Sequence, residues 1–208
     1  MKPLKVLATH GEWTLRQRDN EFMVQRKGAI VSTSRNDGHE LDLVRLALAR
    51  ISTSTPRILV GGLGFGLLLR ALLDDLGDGA QVTVLEPSEA VRAWNEGPLA
   101  ALHDDAVHDA RVRVESGDAL IFLSKHRAKF DAVLLDIDAG PFDVDIDDDT
   151  SLYSIGGFSS LRASLDKGGR LAIASRTTQP GINKRLRECG FHATAEKVNE
   201  RFIFTGDL

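Results

Sequence analysis

The apolar run Arg57-Ile58-Leu59-Val60 leads into Gly61 and Gly62, with further glycines at Gly64 and Gly66, and the acid Glu86 stands twenty positions past Gly66. Glycines at this spacing let a backbone turn sharply and approach a ligand closely, while the helix that follows offers the free N–H groups of its first turn. An acid that ends the next strand, here after Val82-Thr83-Val84-Leu85 and before Pro87, can accept hydrogen bonds from both hydroxyls of a ribose. Gly61, Gly62, Gly64, Gly66, Glu86 and Pro87 together read as a nucleoside-cofactor site. A dinucleotide fingerprint starting at Gly62 or Gly64 would need glycine or alanine at Leu67 or Leu69, and has neither. The pattern instead looks like the S-adenosylmethionine type of turn, where no pyrophosphate has to be seated on the helix. A glycine turn alone fits a tight strand-to-helix connection in any α/β domain; the acid at the right distance favours the nucleoside site.

A second carboxylate belongs to the same crevice. Phe130 to Asp136 is nearly all apolar and ends in an acid, and ligands of open α/β sheets bind outside the carboxyl ends of the strands. Asp136 is therefore expected beside the glycine turn, where its other reading is a helix cap. The chain continues through Asp138, Asp143, Asp145 and Asp147 to Asp149. This run makes either a negative rim that attracts a cation or a solvated loop. A calcium loop is excluded, because Asp148 stands where glycine is required and Ser154 where the bidentate glutamate belongs. Asp118 and Ala119 follow the third strand and open a helix; Asp118 can accept from an adenine amine or cap the helix, and both readings stay open. His103, Asp104, Asp105, His108 and Asp109 have no paired histidines at helical spacing and no cysteine, so they read as a polar connection and no metal is expected. No nucleophile-elbow pattern supports a hydrolase triad.

These residues need a scaffold. At 208 residues the chain has room for one well-buried α/β core with a small appendage. Three short extended runs, Glu12 to Arg18, Glu21 to Arg26 and Ala29 to Thr33, place a small β-strand region in residues 1–36. A nucleoside-cofactor-binding domain is expected over 37–208. Asp37 and Glu40 suggest a capping box for a helix with apolar positions at Leu41, Val44, Leu48 and Ile51. From Pro56 onward strands are expected over 57–61, 81–86, 111–115, 130–136 and 170–175, with helices over 64–76, 88–101, 117–127 and 154–165 between them. A further helix from Pro180 ends near Gly190, and two extended runs, 192–198 and 201–205, close the chain as an antiparallel hairpin. Alternating β and α implies a parallel sheet, and the terminal hairpin makes it the Rossmann-like methyltransferase architecture. The net charge of −4 with scattered Lys and Arg gives no field for a phosphate backbone, so nucleic acid is not an expected partner. No apolar run reaches membrane-spanning length, and Cys189 is the single cysteine, so no membrane and a cytoplasmic location are expected.

The pieces His39-Glu40, Ile58 to Gly66, Val84-Leu85-Glu86, Asp118-Ala119 and Phe130 to Asp136 resemble the spermidine synthase family within the S-adenosylmethionine-dependent methyltransferase superfamily. The resemblance implies that Glu86 holds the ribose, Asp118 and Ala119 the adenine, and His39 the sulfur end of the donor. It makes Asp136 the catalytic base. The implied reaction moves an aminopropyl group from decarboxylated S-adenosylmethionine to putrescine and releases methylthioadenosine. The chain departs from the family where the substrate would bind: Gly64 stands where the synthases hold the donor's amino group with an aspartate, Ala139 where they place a second aspartate, and Gly38 where they carry a tyrosine. The expected donor is S-adenosylmethionine or its decarboxylated form, and the expected acceptor a small cationic amine met by Asp138, Asp143 and Asp145. A homodimer is one assembly open to it. Aminopropyl transfer, methyl transfer and adenosyl-ligand binding without turnover are the three activities left standing.

Overall fold

The computed structural model describes residues 3–35, 38–127, 129–137 and 151–208. Four strands, β1 (Lys5–His10), β2 (Trp13–Arg18), β3 (Glu21–Arg26) and β4 (Ala29–Thr33), form an antiparallel meander in sequence order. The first of these is not among the expected strands. Its two ends are exposed, so the sequence carries no buried alternation there, and it is held by the ladder to β2.

Helix α1 (His39–Leu48) then leads to the main sheet. In chain order follow β5 (Arg57–Gly61), α2 (Leu67–Asp75), β6 (Gln81–Leu85), α3 (Glu89–Glu96), β7 (Val112–Glu115), α4 (Ala119–Lys125) and β8 (Phe130–Asp136). The chain ends in α5 (Ile155–Ser164), β9 (Leu165–Ser175), α6 (Pro180–Glu188), β10 (His192–Val198) and β11 (Arg201–Asp207). The seven strands lie in the order β10-β11-β9-β8-β5-β6-β7. All neighbours from β9 to β7 are parallel, and β11 runs antiparallel to both β9 and β10. This is the expected Rossmann-like sheet with its terminal hairpin. Strand order reverses between β5 and β8, which is where such sheets bind ligands.

Strict alternation along the strands sorts the apolar side chains into two cores. Ile58, Val60, Val82, Val84, Ala132 and Leu134 pack with α1, α2, α3 and with Leu15, Phe22 and Val24 of the small sheet. Leu59, Val133, Leu135, Leu171 and Ile173 pack on the other face with Leu123, Phe158, Leu161, Ile182 and Leu186 from α4, α5 and α6. Burial on both faces is why β8 reads as a nearly all-apolar run, continuous from Ala132 to Leu135.

Element ends differ from expectation for local reasons. Helix α2 starts at Leu67 rather than 64 because Gly64 and Gly66 have φ of +52° and +78°, outside right-handed helix space. Helix α3 stops at Glu96 rather than 101, since Gly97 leaves helical space ahead of Pro98. The capping box expected of Asp37 and Glu40 falls partly outside the described residues. Gly38 is the N-cap of α1, in left-handed conformation and with no side-chain cap, while Asp37 lies outside the described residues. The buried face of α1 is His39, Glu40, Leu43, Val44 and Ala47, and Leu41 is 61% exposed. That phase turns the two polar residues of its first turn inward.

Candidate active site

The glycine turn hangs between β5 and α2. Gly62, Gly64 and Gly66 all have positive φ, which ordinary side chains rarely adopt. A side chain at Gly62 would meet nothing within 4 Å, so this part of the turn faces open space. One at Gly66 would run into the ring of His103 and Oδ1 of Asn95, while Asn95 Nδ2 donates to the Gly64 carbonyl at 2.9 Å. His103 is fully buried, and its Nδ1 accepts from the Ala106 N–H at 3.1 Å. Its place is thus behind the turn, as a packing and bonding residue of a polar connection.

Glu86 follows β6 and is buried. Its carboxylate accepts from the N–H of Leu63 at 2.9 Å and of Ser88 at 2.8 Å, so it ties the glycine turn to the loop before α3. Burial raises its pKa, and the Leu63 and Ser88 N–H groups and the Arg92 charge only partly offset that. Pro87, next to it, is exposed. Asp118 is the N-cap of α4, accepting from the Ile121 N–H at 2.8 Å through Oδ1, and Ala119 is the first residue of that helix.

Asp136, at the end of β8, meets His39 from the start of α1. His39 Nε2 and Asp136 Oδ2 are 2.6 Å apart, with both side chains buried. On the other side of the ring, His39 Nδ1 lies 3.3 Å from Glu40 Oε2. Burial pulls the His39 pKa down, but the hydrogen bond and charge of Asp136 with the charge of Glu40 outweigh it, and the net shift is upward despite Arg201. The pair joins residues 97 positions apart and closes over the crevice between β5 and β8. The contact of Glu40 with His39 and the His39–Asp136 bond were not foreseen. A buried polar pair at the first turn of an amphipathic helix was the available signal, and the wrong helical phase hid it.

His39, Glu40 and Asp136 line one cavity of about 40 Å³ with Gly62, Leu63, Phe65 and the β4 residues Ser32 and Thr33. Three arginines, Arg35, Arg176 and Arg201, complete its wall. Arg201 opens β11 and is 2% exposed, while Arg35 and Arg176 stand exposed at the mouth. None of the three was foreseen, because each lies in a different segment and nothing in the local pattern links them. Gly61, Glu86, Asp118 and Ala119 lie outside this cavity. Asp138, Asp143 and Asp145, expected to meet an amine, lie outside the described residues, as do Asp147 to Asp149.

No protein-family model matches the chain. The chain is 31% identical over 198 residues to polyamine aminopropyltransferase 2 of Streptomyces coelicolor, covering 83% of this chain and 35% of that protein. It is 29% identical over 164 residues to the polyamine aminopropyltransferase of Saccharolobus islandicus, covering 78% of this chain and 52% of that one. It therefore spans between about a third and a half of the length of these relatives. Among solved structures, spermidine synthase from Thermotoga maritima superposes with a TM-score of 0.71 at 13% identity, over 98% of this chain and 72% of that one. That likeness shows the fold.

Proposed function

We propose that this chain, spermidine synthase-like in sequence kinship and in fold, transfers an aminopropyl group from decarboxylated S-adenosylmethionine to a small amine, with Asp136 as the base. The observation that carries this reading is the buried His39–Asp136 pair at 2.6 Å, set beside the glycine turn where the strand order reverses. The residues around the turn suit an adenosyl donor. An ionised carboxylate has about four acceptor sites. Glu86 spends one on each of two N–H groups, which leaves acceptors for ribose hydroxyls. Gly62 leaves the space beside the turn open, and Asp118 has a second oxygen available to an exocyclic amine.

In the transfer, the amine lone pair attacks the donor methylene bonded to the sulfonium. The C–S bond breaks, sulfur keeps the bonding pair, and neutral methylthioadenosine leaves. The amine must lose a proton to finish as a neutral product, and Asp136 is the acceptor, with His39 sharing its charge across the short bond. His39, Glu40 and Asp136 are buried, which strengthens these interactions relative to water. The single cysteine, Cys189, fits a reducing, cytoplasmic setting.

Release of methylthioadenosine from decarboxylated S-adenosylmethionine, followed by chromatography with putrescine, cadaverine and spermidine as acceptors, tests the reading. Asp136→Asn should slow release about a hundredfold or more while methylthioadenosine affinity changes little. No release by the wild-type protein with any of the amines would remove the catalytic assignment.

A further inference from the structure

The glycine turn is held from behind by two buried polar residues that the proposed reaction does not use. Asn95, on the inner face of α3, is fully buried, and its Nδ2 donates to the Gly64 carbonyl at 2.9 Å and to the Val91 carbonyl at 2.8 Å. His103, from the segment after α3, is fully buried as well, and its ring fills the space that a side chain at Gly66 would need. The same unit grips the turn from its other side, because Glu86 accepts from the Leu63 N–H and from the N–H of Ser88, the N-cap of α3. Leu63 and Gly64, adjacent in the turn, are thus tied to the start and the end of one helix.

The protonation state of His103 follows from its bond. Nδ1 accepts from the Ala106 N–H at 3.1 Å, so it carries no proton, and the neutral ring bears its hydrogen on Nε2. A protonated ring would point a second N–H at that of Ala106 and break the bond. Among the described residues, the charged groups facing the ring are Arg70 from α2 and Asp105 from its own loop, while α3 presents the uncharged Asn95. Burial, joined by Arg70, holds the His103 pKa below the ordinary 6.5 against Asp105 and the backbone carbonyls of His103 and Asn95. The loop that brings Ala106 to the ring passes through Asp104 and Asp105 at φ of +51° and +52°, two successive left-handed residues of a kind that persists where the surroundings enforce it.

We propose that Asn95 and His103 are positioning residues of the donor site, which hold the glycine turn in the shape that admits an adenosyl sulfur compound, and that His103 does so only as the neutral ring with hydrogen on Nε2. This rests on the adenosyl-donor part of the reading above and not on the transfer step. Both residues lie behind the turn and act through the backbone of Gly64 to Gly66. Donor binding and protonation of His103 therefore oppose each other: the ligand selects the neutral form, and acid that protonates the ring loosens the turn and releases the ligand.

Calorimetry with methylthioadenosine on the full chain, at about pH 7.5 and about pH 5.5 on either side of the ordinary histidine range, tests this. At the higher pH, Asn95→Leu and His103→Leu should each weaken binding about tenfold or more, while His103→Asn, whose side-chain oxygen replaces Nδ1 as acceptor for Ala106, should stay within about threefold of the wild type. At the lower pH the wild type should lose about fivefold more affinity than His103→Asn, which has no ring to protonate. The raised pKa of Glu86 weakens binding there alike in both proteins. NMR of the ring nitrogens in the free wild-type protein should show His103 protonated on Nε2 and not on Nδ1. If the leucine variants do not fold, this tautomer and the pH comparison with His103→Asn decide. A proton on Nδ1 overturns the proposal, as does a folded leucine variant that binds like the wild type, a His103→Asn that binds no better than His103→Leu, or one pH profile shared by the wild type and His103→Asn. Each of these leaves the transferase reading standing. Failure of the folded wild-type protein to bind methylthioadenosine overturns both.

Discussion

Replacing Asp136 by asparagine tests the buried pair through the pH dependence of stability. In the wild-type protein burial lowers the His39 pKa, but the bond and charge of Asp136 with the charge of Glu40 carry it above the ordinary 6.5. The folded state therefore holds this proton more tightly than the unfolded chain does. That stabilisation is fully present below 6.5 and is lost as pH rises through the raised value. Asparagine keeps the shape and a carbonyl acceptor but removes the charge. Burial and Arg201 then oppose protonation, with Glu40 alone in favour, and the folded-state pKa of His39 falls below 6.5. The sign reverses: below that value the unfolded variant binds a proton that the folded one refuses, at about 1.4 kcal/mol per pH unit. One unit below the ordinary value, at about pH 5.5, the variant loses up to about 1.4 kcal/mol that the wild type does not lose. The stability gap between the two proteins should thus be about 1 to 2 kcal/mol wider at about pH 5.5 than at about pH 9. Urea unfolding of both proteins across this range measures the gap, and the comparison cancels groups that titrate alike in each. A His39→Gln background should flatten it. An equal gap at both ends of the range, or a pH dependence that survives His39→Gln, would refute the pairing.

Glu86→Ala removes the acceptor of two backbone N–H groups, Leu63 at 2.9 Å and Ser88 at 2.8 Å. Each orphaned donor costs about 1 to 3 kcal/mol, the half-buried Ser88 the less, so a loss of about 2 to 4 kcal/mol and a Tm lower by about 5 to 15 °C are expected by scanning calorimetry. An unchanged Tm would leave Glu86 with no bracing role in the turn. Gly62→Ala and Gly66→Ala separate backbone strain from collision, since both positions have positive φ but only Gly66 faces His103 and Asn95. The first should cost about 1 to 2 kcal/mol in urea unfolding, and the second more than about 3 kcal/mol or the soluble fold itself. Equal losses would count against the placement of His103 behind the turn.

The scaffold was legible because its signals are local. Strand β8 is buried on both faces, so Ala132 to Leu135 read as one apolar run leading to an acid, and the glycine turn with Glu86 repeats the same logic one strand away. Helix α1 was legible as a helix but not in its phase. Leu41 and Leu43 are equally apolar in the sequence, and only the packing against the sheet decides that Leu43 is fully buried and Leu41 exposed. The make-up of the cavity wall was not legible, for a deeper reason. The acidic run beyond Asp136 pointed to a cationic ligand, and that run lies outside the described residues. Electrostatic interaction falls with distance and is screened in water, so a ligand in a cavity feels the few groups that line it more than the chain's total. Here those groups are His39, Glu40 and Asp136 together with arginines at positions 35, 176 and 201, which stand at or next to the ends of β4, β9 and β11, and each arginine is an unremarked basic residue in its own segment. Sequence periodicity records which face of an element is buried. It carries no record of which distant charges share a cavity.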